Sequence, residues 1–129
     1  MIGLTVLHRR YVPYSAAHYA GHLVDGAYAL GLFGDVATEV CIRTDGDEGL
    51  LASYTDVRFL APVRAGDVLE ATAEVLAVGT RSRTLGFRAV VVCRGGDGPA
   101  AAVLAEPLVA VTATGTVVVP PRSAARDTP

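Results

Sequence analysis

The sequence contains no lysine and carries little net charge. All eleven of its basic residues are arginines, and thirteen acidic residues bring the formal net charge to −2. Such a balance provides no basic surface to hold nucleic acid or an anionic membrane. The arginine bias, together with abundant alanine, glycine and valine, is typical of a GC-rich bacterial genome and concerns the organism rather than the chemistry.

Cysteine is also scarce, since only Cys41 and Cys93 are present. Two cysteines far apart in sequence are too few for a disulfide framework or a metal site, so we expect two reduced thiols. Residues 1–12 lack the long apolar region and small-residue cleavage site of a signal peptide. No run of about 18 residues is free of charge, glycine and proline, as a membrane-spanning helix requires. We therefore expect a cytoplasmic protein that does not enter a membrane.

The sequence does contain one helical segment, which lies among strands. Residues 2–12 predict a strand, residues 14–22 a polar and aromatic loop, and residues 24–43 a helix that ends in the turn-rich segment 44–49. Four more strands are expected at residues 51–63, 67–79, 83–94 and 100–119, separated by turns at 65–67, 79–81 and 95–98.

This order, β-α-β-β-β-β, predicts an α+β fold in which one antiparallel sheet wraps around one helix. With 129 residues, 51% of them apolar, the chain can form a single domain with a sizeable core. We expect that domain to span residues 1–119 and residues 120–129 to form a flexible tail. Pro107, inside the last strand, indicates an edge position or a bulge.

The predicted helix carries two carboxylates in apolar surroundings. Asp35 and Glu39 are four residues apart, which places them on one face and within reach of each other. Their proximity is expected to raise the pKa of one of them, leaving one proton donor and one acceptor for acid–base catalysis. The alternative is structural, with both carboxylates satisfied by Arg58, Arg88 or Thr38.

The same helix is predicted to be apolar on two sides. Phe33 and Val40 are assigned to one side, and Leu32 and Val36 to the other. One sheet covers only one of these sides, so we expect a second copy of the chain to cover the other. Three glycines inside the helix are expected to let backbone or a ligand approach closely; they are Gly26, Gly31 and Gly34.

Four strings between residues 18 and 94 carry a family resemblance: LVDGA, LFGDVATE, DGDEGL and FLAPVRAGD. As a set they resemble the 3-aminobutyryl-CoA ammonia-lyases of the hotdog-fold superfamily, whereas APVRAGD alone recurs in many hotdog thioesterases. The resemblance implies a hotdog fold and a homodimer, or a ring of dimers, with active sites between subunits. It implies addition of ammonia to the β-carbon of an acyl-CoA, or its removal. Related enzymes of bacterial secondary metabolism add an amino acid's amine by Michael addition, and some hydrolyse the thioester.

A mechanism that uses these residues needs a binding site for the thioester carbonyl. The backbone N–H groups of the first helical turn, at Asp25, Gly26 and Ala27, are expected to bind the carbonyl on which enolate-like charge develops. Glu39 and Asp35 are expected to move protons farther along the helix, with their individual roles open. The acyl group is expected on coenzyme A or on the phosphopantetheine of an acyl carrier protein, and no other cofactor is expected.

Six further residues are candidates for contact with substrate, each with a structural alternative: His18, Tyr19, His22, Tyr54, Arg81 and Arg83. The first three precede the helix and either line the pocket or are ordinary loop residues; the two histidines lack partners at ligand spacing, so no metal site is expected. Tyr54 is a catalytic candidate through its hydroxyl, or an ordinary strand aromatic. The two arginines bracket a hairpin turn, where they suit the carrier's phosphates or are simply exposed.

Three functions remain open from the sequence. The leading one is carbon–nitrogen chemistry at the β-carbon of an acyl thioester. The others are a plain acyl-CoA or acyl-carrier-protein thioesterase, and a non-catalytic module that binds acyl thioesters. Carboxylates in apolar surroundings favour an enzyme over a binding module.

Overall fold

The computed structural model describes residues 1–95 and 100–121. Within these residues lie one long helix and seven strands: β1 Thr5–Tyr11, β2 Ala17–Tyr19, β3 Leu23–Val24, α1 Gly26–Asp45, β4 Leu50–Phe59, β5 Val68–Val78, β6 Ser82–Gly95 and β7 Ala101–Val118. Five strands form one antiparallel sheet in the order β1-β5-β6-β7-β4, and β2 pairs with β3. The predicted α+β architecture, with five strands and one helix, is confirmed. The short β2–β3 pair, flanked by 3₁₀ turns, replaces the loop expected at residues 14–22.

Helix α1 has a defined beginning and end. Asp25 caps its N-terminus, where Oδ1 accepts a hydrogen bond from Tyr28 N at 3.1 Å. Gly46 follows its last turn with a φ of 65°, a left-handed conformation that costs glycine little. The helix therefore lies two residues later at each end than the predicted segment 24–43. Among the described residues, no helix combines the length and apolar character that crossing a membrane requires.

The buried face of α1 is a single apolar stripe. Its members are Ala29, Leu32, Phe33, Val36, Ala37, Val40 and Cys41. The prediction of a helix apolar on two sides is wrong. Leu32 lies three residues from Ala29, and Val36 lies three from Phe33 and four from Val40, so both share the face of the other members. The apolar pattern of α1 therefore does not support the expectation of a second subunit.

The sheet presents alternate residues to this stripe. On β5 and β6 every second residue is buried, as the period of a strand dictates: Leu69, Ala71, Ala73, Val75, Leu85, Phe87, Ala89 and Val91. On β7, Pro107 falls where the pairing with β6 is irregular, between Val91 and Cys93. The register with β4 ends at Val111, so this part of β7 also has only one paired neighbour. Both predicted explanations of Pro107, a bulge and an edge, apply.

A buried ion pair fixes the loop before β5. Asp67 is 1% exposed and accepts hydrogen bonds from Arg94 at 3.0 and 2.8 Å and from Arg64 N at 2.8 Å. Gly66 precedes it with a φ of 89°, which confirms the predicted turn at 65–67. The turn predicted at 95–98 and the tail predicted at 120–129 lie largely outside the described residues.

Replacing Arg94 by Ala is expected to destabilise the fold by about 3 kcal/mol, because the buried Asp67 carboxylate loses its counter-charge. Arg58→Ala is the matched control, since Arg58 pairs with Asp56 on the surface and such pairs contribute less than about 1 kcal/mol. Urea unfolding followed by circular dichroism measures both. Equal losses in the two variants would contradict the assigned role of the Asp67–Arg94 pair.

Candidate functional site

A pocket of about 320 Å³ lies at the N-terminus of α1. Its wall includes the first turn of the helix at Gly26 and Tyr28, the aromatic ring of Tyr19, and Phe59 and Val63 from the chain around the end of β4. The pocket thus combines apolar walls with the positive end of a helix dipole. Such a combination suits a small apolar group that carries a polarised carbonyl.

The first helical turn divides its amides between a cap and the pocket. The Asp25 side chain satisfies Tyr28 N, whereas the N–H groups of Gly26 and Ala27 precede the first intrahelical hydrogen bonds. Gly26 lines the pocket, and Ala27 is exposed beside it. A Cβ on Gly26 would lie 2.5 Å from Cε1 of Phe59. A side chain at this position would therefore have to displace the exposed Phe59 ring.

The three candidate residues that precede the helix lie in two different places. Tyr19 lines the pocket, and His18 lies next to it, with its ring 4.7 Å from that of Tyr19 and Nδ1 3.9 Å from Asp25 Oδ2. His22 instead lines a separate cavity of about 190 Å³ with Tyr14. The structure therefore brings His18 and Tyr19 to the helix N-terminus and places His22 elsewhere.

Neither predicted carboxylate lies at this pocket within one subunit. A rise of 1.5 Å per residue puts Asp35 about 14 Å, and Glu39 about 20 Å, along the helix axis from Gly26. The Asp35 side chain is 62% exposed and that of Glu39 34%, so neither is enclosed. A thioester held at Gly26 is therefore beyond the reach of both carboxylates of the same chain.

Glu39 belongs instead to a charged cluster between α1 and β1. His8 Nε2 lies 2.8 Å from Glu39 Oε1, and Arg43 Nε donates to Glu39 Oε2 at 2.8 Å. Arg10 Nη2 lies 3.5 Å from His8 Nδ1 and 3.9 Å from Asp35 Oδ2. These five residues are called the β1–α1 cluster below. It links the two predicted carboxylates through Arg10 and His8.

Sequence reasoning missed His8 and Arg10, although a signal was present. Both alternate with Val6, which is buried against the helix, so strand period places them on the same face. The structural partners proposed for the carboxylates were wrong. Arg58 pairs with Asp56 and Thr38 donates to the carbonyl of Gly34, while Arg88 is exposed on β6.

The charges around Glu39 decide its protonation. The hydrogen bond from Arg43, and next that from His8, hold the pKa of Glu39 below its ordinary value of 4.5. The raised pKa expected from the proximity of Asp35 is therefore not found at Glu39, because the hydrogen-bond donors Arg43 and His8, and not Asp35, are its immediate neighbours. Glu39 is a carboxylate at neutral pH.

Tyr54 joins β4 to the helix. Its hydroxyl donates to the carbonyl of Leu30 at 2.6 Å, and its ring packs edge-on against Phe87. Burial, and secondarily the charge of Asp35, raises the pKa of Tyr54, so the phenol stays protonated. These contacts give Tyr54 a structural role, and its catalytic role stays a prediction.

The two hairpin arginines lie at the opposite end of α1 from the pocket. The Arg83 side chain is only 6% exposed and donates to Asp45 Oδ1 at 2.7 Å and to the carbonyls of Gly79 and Ser82. It ties the end of the helix to the hairpin, and the prediction that it contacts phosphate does not fit this placement. Arg81 is exposed, but it lines a cavity whose other charged members, Asp47 and Glu48, are acidic.

Neither cysteine lines the pocket or belongs to the β1–α1 cluster. Cys41 is buried, and burial raises the pKa of its thiol; Cys93 is half-buried, and both are free thiols. In residues 1–95 and 100–121, no three His, Cys, Asp or Glu side chains are grouped as ligands of a metal ion.

Comparison with known sequences agrees with the family resemblance carried by the four strings. A family model described as the thioesterase superfamily matches residues 21–93. The 3-aminobutyryl-CoA ammonia lyase of Acetoanaerobium sticklandii is 50% identical over 107 residues, which cover 81% of this chain and 85% of the relative. The resemblance carried by the four strings is thereby confirmed.

Comparison with solved structures identifies the fold. The β-alanyl-CoA:ammonia lyase from Clostridium propionicum has a TM-score of 0.89 and 35% identity, with 92% of this chain and 87% of that chain covered. A hexameric hotdog fold thioesterase of Campylobacter jejuni has a TM-score of 0.73 at 16% identity, with 86% and 79% covered, a likeness that shows the fold alone. The predicted hotdog fold is confirmed.

Arg43→Ala is expected to raise the pKa of Glu39 toward 4.5, and His8→Ala to raise it less, because Arg43 makes the larger contribution. Since the pKa is lower in the folded chain, these contacts stabilise the fold above the unfolded-state pKa, and the stabilisation is lost as pH falls through the folded-state pKa. Carboxyl titration by NMR measures the pKa. Arg9→Ala is the control, because Arg9 pairs with Glu70; a wild-type pKa of 4.5 or above would refute the assignment.

Proposed function

This chain belongs to the thioesterase superfamily and, within it, to the family of the 3-aminobutyryl-CoA ammonia lyases, and on this premise we propose that it catalyses carbon–nitrogen chemistry at the β-carbon of an acyl thioester. The reaction is the addition of an amine to an α,β-unsaturated acyl thioester or, in reverse, elimination of ammonia from a β-aminoacyl thioester. The observation that carries the proposal is a carboxylate, Glu39, held ionised by His8 and Arg43 in a chain that is 50% identical over 107 residues to an ammonia lyase.

We assign the thioester carbonyl to the N-terminus of α1. We assign the N–H groups of Gly26 and Ala27, which have no acceptor within the helix, as donors to the developing enolate oxygen, where preorganised donors stabilise charge most effectively. Tyr19 and Phe59 supply apolar contact on the pocket wall. The acyl carrier is coenzyme A or the phosphopantetheine of an acyl carrier protein, and comparing crotonyl groups on the two carriers distinguishes them. We assign the enzyme to the cytoplasm, where its two thiols stay reduced.

We assign proton transfer at the α-carbon to Glu39. In elimination, Glu39 takes the α-proton, the C–H electron pair forms the Cα=Cβ bond, and nitrogen leaves with the C–N pair. In the reverse direction, amine addition, the nitrogen lone pair attacks the β-carbon and Glu39 returns a proton to the α-carbon. Asp35, on the open side of the helix, is the proposed partner of the cationic amine.

A homodimer is the arrangement that brings these parts together. Helix α1 runs antiparallel to β4, since Gly26 lies against Phe59, the Leu30 carbonyl binds Tyr54 and Cys41 lies against Gly49. If two β4 strands pair antiparallel about their centres, the Phe59 end of one meets the Leu50 end of the other. The pocket of one subunit then lies level with the Cys41 region of its partner, which contains Glu39.

Two surfaces support this pairing. Strand β4 is an edge of the sheet, eight of its ten residues are exposed, and unpaired edges are templates for strand addition. The open face of α1 carries small residues, and a Cβ on either Gly31 or Gly34 would meet nothing within 4 Å. A second helix can therefore approach closely. We propose that each active site contains the pocket of one subunit and the Glu39 carboxylate of the other, in a dimer that can build a ring of dimers.

Incubation with crotonyl-CoA and ammonia or glycine, followed by mass spectrometry, is expected to yield a β-amino adduct. Glu39→Gln is expected to lower turnover by about 10²–10⁴-fold, because an amide cannot accept the proton. Glu70→Gln is the matched control, as Glu70 also pairs with an arginine but on the outer face of the sheet. Release of free acid alone would indicate a thioesterase, and no change at all a binding module.

Subunit sharing is tested by mixing two inactive variants. Gly26→Leu fills the pocket and Glu39→Gln removes the base. When they are co-expressed in equal amounts, half the dimers are mixed and one site in each is intact, so about a quarter of wild-type turnover is expected. A mixture no more active than its components, or a monomer in sedimentation experiments, would contradict a shared site.

A further inference from the structure

We infer that His8 is a positioning residue for the proposed reaction, and that it holds the Glu39 carboxylate through an Nε2–H group while Nδ1 faces Arg10. The inference rests on the proposed function, in which Glu39 is the base. His8 lies outside the family strings on which the resemblance depends, and it emerges only from the contact between β1 and α1.

The tautomer follows from the two neighbours of the ring. Nδ1 faces Arg10 Nη2 at 3.5 Å, and a guanidinium offers only donors, so Nδ1 must accept. A neutral ring then carries its proton on Nε2, which lies 2.8 Å from Glu39 Oε1. The His8–Glu39 contact is therefore an N–H donor on a carboxylate.

His8 is the contact that ties Glu39 to the sheet. The other donor, Arg43, comes from the same helix four residues on and is 61% exposed, so it moves with the helix and with solvent. The His8 side chain is 20% exposed and projects from β1, whose pairing with β5 is continuous from Thr5 to Tyr11. His8 thus fixes the direction of Oε1 relative to the fold, which Arg43 does not.

The charged groups around the ring leave this donor in place. The ring itself contacts Glu39 on α1 and Arg10 on β1. Arg43 contacts Glu39, and Asp35 and Tyr28 lie near Arg10. The residue of β5 paired with His8 is the buried Ala71, and no charged side chain of β5 on that face is found among the described residues. Glu39 faces Nε2 and Arg10 faces Nδ1, so each ring nitrogen keeps the role assigned above.

The kinetic experiment compares His8→Ala, His8→Gln and the control Arg9→Ala, which alters the neighbouring residue on the other face of β1. His8→Ala is expected to lower kcat by about 100-fold with little change in KM, because a freely rotating base loses its near-attack geometry. His8→Gln is expected to restore most of kcat, since its amide N–H can also donate to Glu39. All variants are checked for an unchanged urea midpoint. A kcat of His8→Ala equal to that of Arg9→Ala, a change in KM alone, or no rescue by Gln would overturn the inference.

A second measurement does not depend on turnover. The chain has three histidines, so ¹⁵N NMR resolves their ring nitrogens, and His8→Gln identifies the signals of His8. The wild-type protein is expected to show the Nε2–H tautomer, and Arg10→Ala to keep it, because the ionised Glu39 carboxylate 2.8 Å away can only accept. An Nδ1–H tautomer in an active enzyme would overturn this inference alone. If the wild-type protein shows the Nε2–H tautomer but forms no amine adduct, the proposed function is overturned, and with it the role of His8 in catalysis.

Discussion

Phe33 of α1 stacks on Phe87 of β6, with ring centroids 5.0 Å apart, and the apolar stripe around this contact fixes the rotation of the helix against the sheet. Each large side chain buried in the stripe contributes about 1.5–3 kcal/mol, so any other rotation is strongly disfavoured. The functional groups follow from that choice. With Phe33 and Val36 turned inward, helical geometry turns Asp35 to the open side and leaves Glu39 at the flank beside β1. The geometry of the proposed chemistry is thus determined by the core.

Local pattern was sufficient to predict the elements, and failed where distant parts of the chain meet. The helix, the five strands and the bulge at Pro107 followed from periodicity and turn residues. The prediction for Leu32 and Val36 names the wrong side, although Leu32 lies three residues from Ala29 and Val36 three residues from Phe33. The partners of Glu39 and Arg83 could not be predicted, because His8 and Asp45 reach them only through the strand order β1-β5-β6-β7-β4, and several orders are compatible with the same strand sequences.

The distance between the pocket and Glu39 along α1 gives the edge strand β4 a function in the proposed dimer. One helix supplies the positive dipole at Gly26, and its own Glu39 lies about 20 Å farther along the axis. A two-fold axis through β4 reverses the direction of the second helix, so the two ends can meet across the interface. The edge that would otherwise invite uncontrolled association is, on this proposal, covered by the partner that completes the site. Association and catalysis then depend on the same strand.

The low pKa of Glu39 constrains how protons move in the proposed reaction. Because Arg43 and His8 keep Glu39 ionised, it begins each cycle as an acceptor and has no proton of its own to give. In the direction of amine addition, ammonium can transfer a proton to Glu39, which leaves ammonia as the nucleophile. After ammonia attacks the β-carbon, Glu39 passes that proton to the α-carbon. Elimination runs through the same two transfers in reverse. One carboxylate therefore suffices for both directions, and Asp35 is left to bind the cation rather than to exchange a proton. The donors on Glu39 weaken it as a base, so acidification of the α-carbon must come from the helix N-terminus, where the enolate oxygen is stabilised.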